Sequence, residues 1–197
     1  MPAPLLLLTE LPVIPDGVDA AVAAVREHAP AALLYAGLET PSVLLLTPLG
    51  SLAGLGAVVE DWAEVDKALT PWADGDVRRQ VLRFVGAPRA GAELSDSPFI
   101  QLRHVEVKLP KLEEYLAWRE ETIFDVVRAA PAIDVFLAYH SLLSTEPGVM
   151  FIAGFSGPAE EYRSAFETPR YAEITEYAHR RFITESGLYT RIYRRVP

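Results

Sequence analysis

The chain has 197 residues, of which 50% are hydrophobic and 23% are charged, so it can bury a sizeable core and is too apolar to be disordered throughout. Its formal net charge of −9 disfavours binding to nucleic acid or to anionic membranes. It contains no cysteine, which excludes disulfides, thiol catalysis and Cys-ligated metal sites.

The N-terminal apolar run, Leu5–Leu8, is too short to cross a bilayer, since a transmembrane helix needs about 20 apolar residues. No basic region precedes it and Glu10 follows it closely, so it does not match a signal peptide. We therefore predict a soluble, cytoplasmic protein that does not bind membranes.

Three strands and two helices are predicted in the first half of the chain. The predicted strands are short apolar runs, at Leu5–Leu11, Ala31–Leu38 and Val43–Thr47. Apolar residues at helical spacing predict a first helix over Val18–Ala29, with Asp16 as its cap and Pro30 after its end. The same spacing predicts a second helix over Val58–Trp72.

No clear fourth strand is predicted for the first half. The apolar residues of Val77–Val85 continue the helical spacing after a break, and Gly86–Pro98 has the composition of a linker. Either Glu93–Ile100 supplies the missing strand, or the first half is a degenerate version of the second.

The second half predicts the order β-α-β-β-α-β. Its strands are apolar and β-branched runs, at Phe99–Leu109, Asp134–Ser144, Val149–Phe155 and Leu188–Val196. Helices are predicted over Leu112–Ala130 and over Glu160–Glu185, the latter interrupted at Pro169 and stopped by Gly187. The turn residues Thr145–Gly148 predict a hairpin between the two middle strands.

The order of elements repeats after roughly 100 residues, which predicts two tandem repeats. We divide the chain into a degenerate ferredoxin-like repeat, 1–92, and a ferredoxin-like repeat that carries the candidate site, 93–197. The two hairpin strands of the second half are apolar on both faces, as in a sheet that is covered on both sides. We therefore predict an α+β fold whose two antiparallel sheets pack as an α/β barrel within one chain.

Two segments resemble the dimeric α/β-barrel superfamily, which includes antibiotic-biosynthesis monooxygenase-like, haem-degrading, NIPSNAP-like and chlorite dismutase-like proteins. The segments are the strand-to-helix junction Val105–Tyr115 and the Thr-Pro-x-aromatic step within Ala165–Tyr171. The resemblance covers the second half, and the first half shares only the order of elements. It implies a pocket between the sheet and its helices, and either cofactor-free oxidation of aromatic molecules, haem binding, or no reaction.

Three residues are candidate catalytic groups. His104 and His140 are predicted on strand faces that are otherwise apolar, where a polar group is costly, and histidine is a common general base. Each could instead be a buried histidine that bonds to a backbone carbonyl, or a histidine at a strand end in water. Arg119 lies within the apolar stripe of its predicted helix, where a guanidinium needs a carboxylate, a carbonyl or a ligand anion, unless it extends to the helix edge.

Aromatic side chains near these residues are candidate substrate-binding groups or ordinary core residues, namely Tyr115, Trp118, Tyr139 and Phe166. The resemblance implies that His179, on the last predicted helix, would be the iron ligand if the protein bound haem. No residues have convincing spacing for a metal site, and no phosphate loop or nucleophile elbow is present.

The favoured hypothesis is a monooxygenase-like enzyme that needs no cofactor and acts on a small apolar or aromatic molecule. In it, His104 or His140 removes a substrate proton and Arg119 stabilises the anion. The alternatives are a haem-binding or haem-degrading protein, and a non-catalytic ligand-binding or interaction protein of the same fold. A homodimer is left open.

Overall fold

The computed structural model describes residues 2–91 and 93–196. Its strands are β1 (Leu5–Pro12), β2 (Leu33–Gly37), β3 (Ser42–Leu49), β4 (Arg78–Ala90), β5 (Phe99–Val107), β6 (Val135–Leu143), β7 (Val149–Phe155) and β8 (Ile183–Arg195). Its α-helices are α1 (Val18–His28), α2 (Leu52–Glu60), α3 (Trp62–Leu69), α4 (Leu112–Glu121), α5 (Ile123–Ala129), α6 (Ala159–Ser164) and α7 (Pro169–Arg181). When α2–α3, α4–α5 and α6–α7 are each counted as one helical segment, the order βαββαβ occurs twice.

The strands follow one another edge to edge as β1-β3-β2-β8-β5-β7-β6-β4, an order that closes into a barrel. Neighbouring strands run antiparallel in the hairpins β2–β3 and β6–β7 and in the pairs β1–β3, β1–β4, β2–β8 and β5–β7. The predicted α+β fold with a ferredoxin-like antiparallel barrel is thereby confirmed.

The described residues form two units. The first contains 2–84, 141–145 and 191–196, and the second contains the described part of 85–140 together with 146–190. The division at residue 92 stays a prediction, as does the interpretation of the two halves as a sequence repeat.

In the first unit, β1 alternates between two buried environments, as a strand covered on both faces does. Leu5 and Leu7 pack in one apolar cluster with Val81, beside Trp62. Glu10 is 5% exposed and accepts a hydrogen bond from the Tyr193 hydroxyl at 2.5 Å. It also pairs with the Arg191 guanidinium, so this buried carboxylate is neutralised and hydrogen-bonded within its own unit.

The predicted helical continuation over Val77–Val85 is wrong, and the predicted linker over Gly86–Pro98 is wrong for its first part, 86–90. The segment forms β4, the fourth strand of the first half, which pairs with β1 from Leu5↔Arg83 to Glu10↔Arg78. Val77, Val81 and Val85 lie four residues apart, a spacing that keeps side chains on one face of a strand as well as near one face of a helix. Pairing with the apolar strand β1 decides between them.

Helix boundaries differ from the prediction at Thr122 and at Asp16. The predicted helix over Leu112–Ala130 is broken at Thr122, whose hydroxyl donates to the Trp118 carbonyl at 2.7 Å. Asp16 lies in a short 3-10 turn and its side chain does not cap α1. The interruption at Pro169 is confirmed, because Pro169 is the first residue of α7 and Thr168 caps it.

The predicted helix stop at Gly187 is also wrong, because β8 begins at Ile183 and passes through this glycine. A Cβ atom there would overlap the side chain of Glu106. The glycine therefore permits a close approach to Glu106.

The predicted β6–β7 hairpin is confirmed, with Val135↔Gly154 and His140↔Val149 as its outermost pairs. Every residue of β7 is buried. None of the helices within 2–91 and 93–196 is both long and apolar enough to cross a membrane.

Candidate functional site

A largely enclosed cavity lies between the sheet and the helices of the second unit, and we call it the inner cavity. Its volume is about 30 Å³, which is room for one or two water-sized groups. The sheet contributes side chains from β5, β6 and β7, namely Gln101, Arg103, Val105, Phe136 and Phe151. Gln101, Arg103 and Val105 alternate along β5, so they share one face of that strand.

The opposite wall comes mainly from helices. The side chains are Tyr115 from α4, Ile123 from α5, Phe166 from the α6–α7 connection, Tyr171, Thr175, Ala178 and His179 from α7, and Ile183 from β8. Tyr171, Thr175 and Ala178 lie three and four residues apart and therefore on one side of α7. The Thr168 hydroxyl accepts a hydrogen bond from the Tyr171 backbone N–H at 3.1 Å, which fixes the start of α7 beside the cavity.

A wider groove of about 490 Å³ adjoins the inner cavity and is more open to solvent. Both spaces share the side chains of Gln101, Arg103, Phe166, Tyr171, Thr175 and His179. The groove has the size of a small-molecule site, and the inner cavity forms its narrow end.

The Tyr115 hydroxyl is the unusual polar group of this site. Tyr115 is 1% exposed, and its hydroxyl has no hydrogen-bond partner among the described residues. Burial raises the pKa of Tyr115 far above its ordinary value, although the charge of Arg119 opposes this, so the phenol stays protonated. A buried hydroxyl without a partner is costly, and the side chain that carries it lines the inner cavity.

Arg119 lies one helical turn after Tyr115, is 6% exposed, and does not line the inner cavity or the groove. Its guanidinium carbon is 5.0 Å from the ring centroid of Phe124 and 5.8 Å from that of Phe151. Its Nη1 lies 3.3 Å from Nε2 of His140, while its Nε has no partner among the described residues. Burial lowers the pKa of Arg119. The sequence predicted a carboxylate, a carbonyl or a ligand anion as the partner of this guanidinium. In the structure, aromatic rings and an imidazole surround it instead.

His140 shares the cavity face of β6 with Phe136, since the two are four residues apart on one strand. It does not line either space. His140 contacts Arg119, and Arg119 in turn contacts the rings of Tyr115 and Phe151, which form an aromatic wall of the inner cavity. Neither His140 nor Arg119 contacts the inner cavity directly.

His104 and Tyr139 face the other side of the sheet. Both pair with Met150 of β7, His104 from β5 and Tyr139 from β6. The His104 Nε2 lies 3.0 Å from the carbonyl oxygen of Pro147, and its ring stacks on Tyr189 at 5.0 Å between centroids. This arrangement is the buried, carbonyl-bonded histidine that the sequence left open as an alternative. Neither residue reaches the cavity face.

The other predicted residues are divided between two places. Phe166 and His179 line both the inner cavity and the groove, and His179 is exposed at its rim. Trp118 lines a separate shallow depression of about 360 Å³ with Tyr177. The roles predicted for all these side chains stay predictions.

Gln101 and Arg103, the two polar residues that β5 contributes to the cavity lining, were not among the predicted site residues. Their signal was present, because they alternate with Ile100, Leu102 and His104 along a strand that is otherwise mostly apolar. His104 lies on the opposite face of β5. Within the described residues, no group of three or more His, Asp or Glu side chains could hold a metal ion.

No protein-family model matches the chain, and no curated protein matches its sequence. Solved structures do match its fold. An anthrone oxidase-like protein is 10% identical, with a TM-score of 0.78 over 98% of this chain and 91% of the other. A candidate monooxygenase from Fusobacterium nucleatum subsp. nucleatum is 8% identical, with a TM-score of 0.72 over 100% of this chain and 94% of the other. The heme-degrading enzyme of Listeria monocytogenes is 8% identical, with a TM-score of 0.57 over 96% and 98% of the two chains.

Identities this low establish a fold and not an activity. The matched structures also include a ferredoxin-fold protein related to antibiotic biosynthesis monooxygenases. The resemblance inferred from the two sequence segments is therefore confirmed for the fold. This chain has the ferredoxin-like α/β-barrel fold of the antibiotic-biosynthesis monooxygenase-like proteins.

Proposed function

We propose that the protein binds a small aromatic molecule in the groove of its second unit and oxidises it with O₂ without a cofactor. The observation that carries this proposal is the Tyr115 hydroxyl, which is buried in the wall of the inner cavity and has no partner among the described residues. Such a donor suits a ligand that carries a carbonyl or hydroxyl oxygen.

The lining favours an aromatic ligand. Five of the residues around the inner cavity are aromatic, namely Tyr115, Phe136, Phe151, Phe166 and Tyr171. Aromatic rings pack on one another in offset or edge-on geometry and add to the energy of apolar burial. The inner cavity is too small for a ring, so the ring would lie in the groove and only a small substituent would enter the inner cavity.

A reaction without a cofactor requires a substrate with an acidic C–H bond. In the proposed reaction, a methylene group and O₂ give a carbonyl group and water, so no external reductant is needed. A base accepts the methylene proton, the carbanion delivers its electrons to O₂, and the peroxide that forms loses water. The Tyr115 donor would stabilise negative charge on an oxygen conjugated with the carbanion.

The geometry favours His179 as the base, because it lines both spaces and histidine is a common general base. The sequence-based candidates His104 and His140 stay alternatives. His140 lines neither space, so the side chains of the cavity wall would have to move before it could reach a substrate proton. His104 would have to leave the Pro147 carbonyl.

The solved structures support the proposal only through their fold and their names. One is described as anthrone oxidase-like and another as a candidate monooxygenase. An anthrone is a fused aromatic molecule with an acidic methylene group, and it is therefore a suitable first probe.

Haem is the second candidate ligand, suggested by the heme-degrading enzyme among the matched structures. The residues do not fit an enclosed haem, because the inner cavity of about 30 Å³ cannot hold a macrocycle. A hemin titration followed by absorption spectroscopy tests this alternative. A stoichiometric Soret band that disappears in His179→Ala would establish it.

The proposal is tested by mixing the protein with anthrone in aerated buffer and following both O₂ consumption and quinone absorbance. We expect one O₂ consumed per carbonyl formed, at a rate above that of buffer alone. His179→Gln should lower the rate by about 10²-fold or more, as loss of a general base does. His104→Gln and His140→Gln identify the base if His179 is not it.

Anthrone binding without turnover would support the third candidate, a non-catalytic ligand-binding protein. Absence of both binding and turnover would contradict the proposal. A cytoplasmic location and a homodimer are further proposals, and light scattering of the purified chain tests the second.

A further inference from the structure

Gln101 and Arg103 form a pair of adjacent polar side chains on the cavity face of β5. They are two residues apart on one strand, which places their backbones about 7 Å from each other. Both line the inner cavity and the groove. A ligand that lies across the two spaces would therefore contact both side chains.

The hydrogen bonds of Gln101 orient its amide. The Tyr162 hydroxyl lies 2.9 Å from Oε1 of Gln101 and donates to it. Tyr162 is buried, and burial raises its pKa far above the ordinary value, so it stays a donor. The amide oxygen is thus occupied, and the amide N–H groups of Gln101 have no acceptor among the residues that the structure describes.

Among the residues that the structure describes, Arg103 makes a single hydrogen bond, from Nη1 to the hydroxyl oxygen of Thr190 at 3.1 Å. Within residues 2–91 and 93–196, no carboxylate lies within ion-pair distance of its guanidinium. A guanidinium has five N–H donors and no acceptor, so most of its donors are available to a ligand.

The positive charge of Arg103 therefore acts on the site without a counter-ion among the described residues. Burial raises the pKa of three tyrosines near the cavity, and the charge of Arg103 opposes this rise in each of them. They are Tyr115, Tyr162 and Tyr171. The groove also contains Arg163 and the exposed Glu167. This local excess of one cation contrasts with the net charge of −9 for the whole chain.

We propose that the ligand is an aromatic carboxylate whose carboxylate group is bound by Arg103 and the Gln101 amide. The inference rests on the proposed function only for the location of the ligand, and it adds the charge that the ligand must carry. The aromatic ring packs against Phe166 and Tyr171 in the groove. A carboxylate matches this pair because a planar guanidinium donates two parallel N–H bonds to its two oxygens.

The test is isothermal titration calorimetry of the full chain with two probes of nearly equal shape, 1-naphthoate and the uncharged 1-naphthamide. We expect the wild-type protein to bind naphthoate about tenfold to a hundredfold more tightly, as hydrogen bonds to a charged group imply. Arg103→Met should remove this preference, so that the two probes bind with nearly equal affinity. Arg103→Lys should keep only part of it, because an ammonium lacks the planar fork.

Arg170→Met is the matched control, since Arg170 is exposed on α7 and lines neither space. It should keep the full preference. Thr175→Trp, which fills the groove, should abolish binding of both probes. Circular dichroism of each variant verifies that it is folded.

The outcomes separate the two proposals. If wild-type protein binds neither probe, the aromatic site itself is wrong. If it binds both equally, the aromatic site stands and the carboxylate preference is overturned. A preference for naphthoate that survives Arg103→Met would also overturn the inference, because the charge would then be recognised elsewhere.

Discussion

The guanidinium of Arg119 donates a hydrogen bond to His140, with 3.3 Å between Nη1 and Nε2. Because a guanidinium can only donate, this ring nitrogen of His140 must be the acceptor and carries no proton. A cation that is 6% exposed is thus held by an imidazole and by aromatic rings, with no carboxylate within ion-pair distance among the described residues. Burial of such a charge is costly, and the rings offset that cost in part.

Arg119→Met should change the free energy of unfolding by less than about 1 kcal/mol, because an apolar chain of similar length keeps the packing and removes the desolvation cost. Arg119→Ala should lower it by about 2–4 kcal/mol, since it leaves a cavity among the rings. Urea denaturation of both variants measures the difference. Equal losses in the two variants would mean that the charge, and not the packing, stabilises this region.

Two buried tyrosines provide a matched test of the inner cavity. The Tyr115 hydroxyl has no partner among the described residues, whereas the Tyr162 hydroxyl bonds to Gln101. Tyr115→Phe should leave the free energy of unfolding unchanged or raise it by up to about 1 kcal/mol, and Tyr162→Phe should lower it by about 1 kcal/mol. A large loss for Tyr115→Phe in denaturant titrations would show that its hydroxyl has a partner in solution.

Alkaline pH should unfold the protein through its buried phenols. Burial raises the pKa of Tyr35 and of Tyr139 to about 12, although Arg195 opposes the shift at Tyr35. Each folded-state pKa lies above the unfolded value of about 10, so this contribution to stability is complete below pH 10 and is lost as the pH rises through about 12. Tyrosinate absorbance and circular dichroism recorded together check this. Full ionisation near pH 10 with an unchanged fold would contradict it.

The β6–β7 hairpin depends on Gly148, whose φ of +117° is one that other residues rarely adopt. A Cβ atom there would also overlap the Val105 carbonyl oxygen. Gly148→Ala should lower the free energy of unfolding by about 2 kcal/mol or more. Gly56→Ala is the control, because no atom lies within 4 Å of the added Cβ and the residue is in α2. Thermal melts should show this control unchanged or slightly more stable.

Most elements of the second half could be predicted because their signals are local. The alternation along Phe99–Val107, the turn at Thr145–Gly148 and the proline at 169 each limit the backbone over a few residues. The two helical segments of that half were also placed, apart from the break at Thr122. The order of elements then narrowed the fold to a ferredoxin-like barrel, because few topologies accommodate it.

The fourth strand of the first half could not be predicted in this way. The residues of β4 have an apolar spacing that suits either a helix or a strand, and only their pairing with β1 selects the strand. Such pairing joins residues that are far apart in sequence, so no local pattern reports it.

The sequence by itself determined the fold class, the hairpin and the aromatic character of the second half, because periodicity and turn residues act on neighbouring positions. Only the tertiary structure decided which polar residues meet. It directed Gln101 and Arg103 to the cavity and His104 to the other face of the same strand. It also left the Tyr115 hydroxyl without a hydrogen-bond partner among the described residues and surrounded Arg119 with rings. These outcomes depend on how distant segments pack, since burial and hydrogen bonding are properties of the assembled side chains and not of the residues alone.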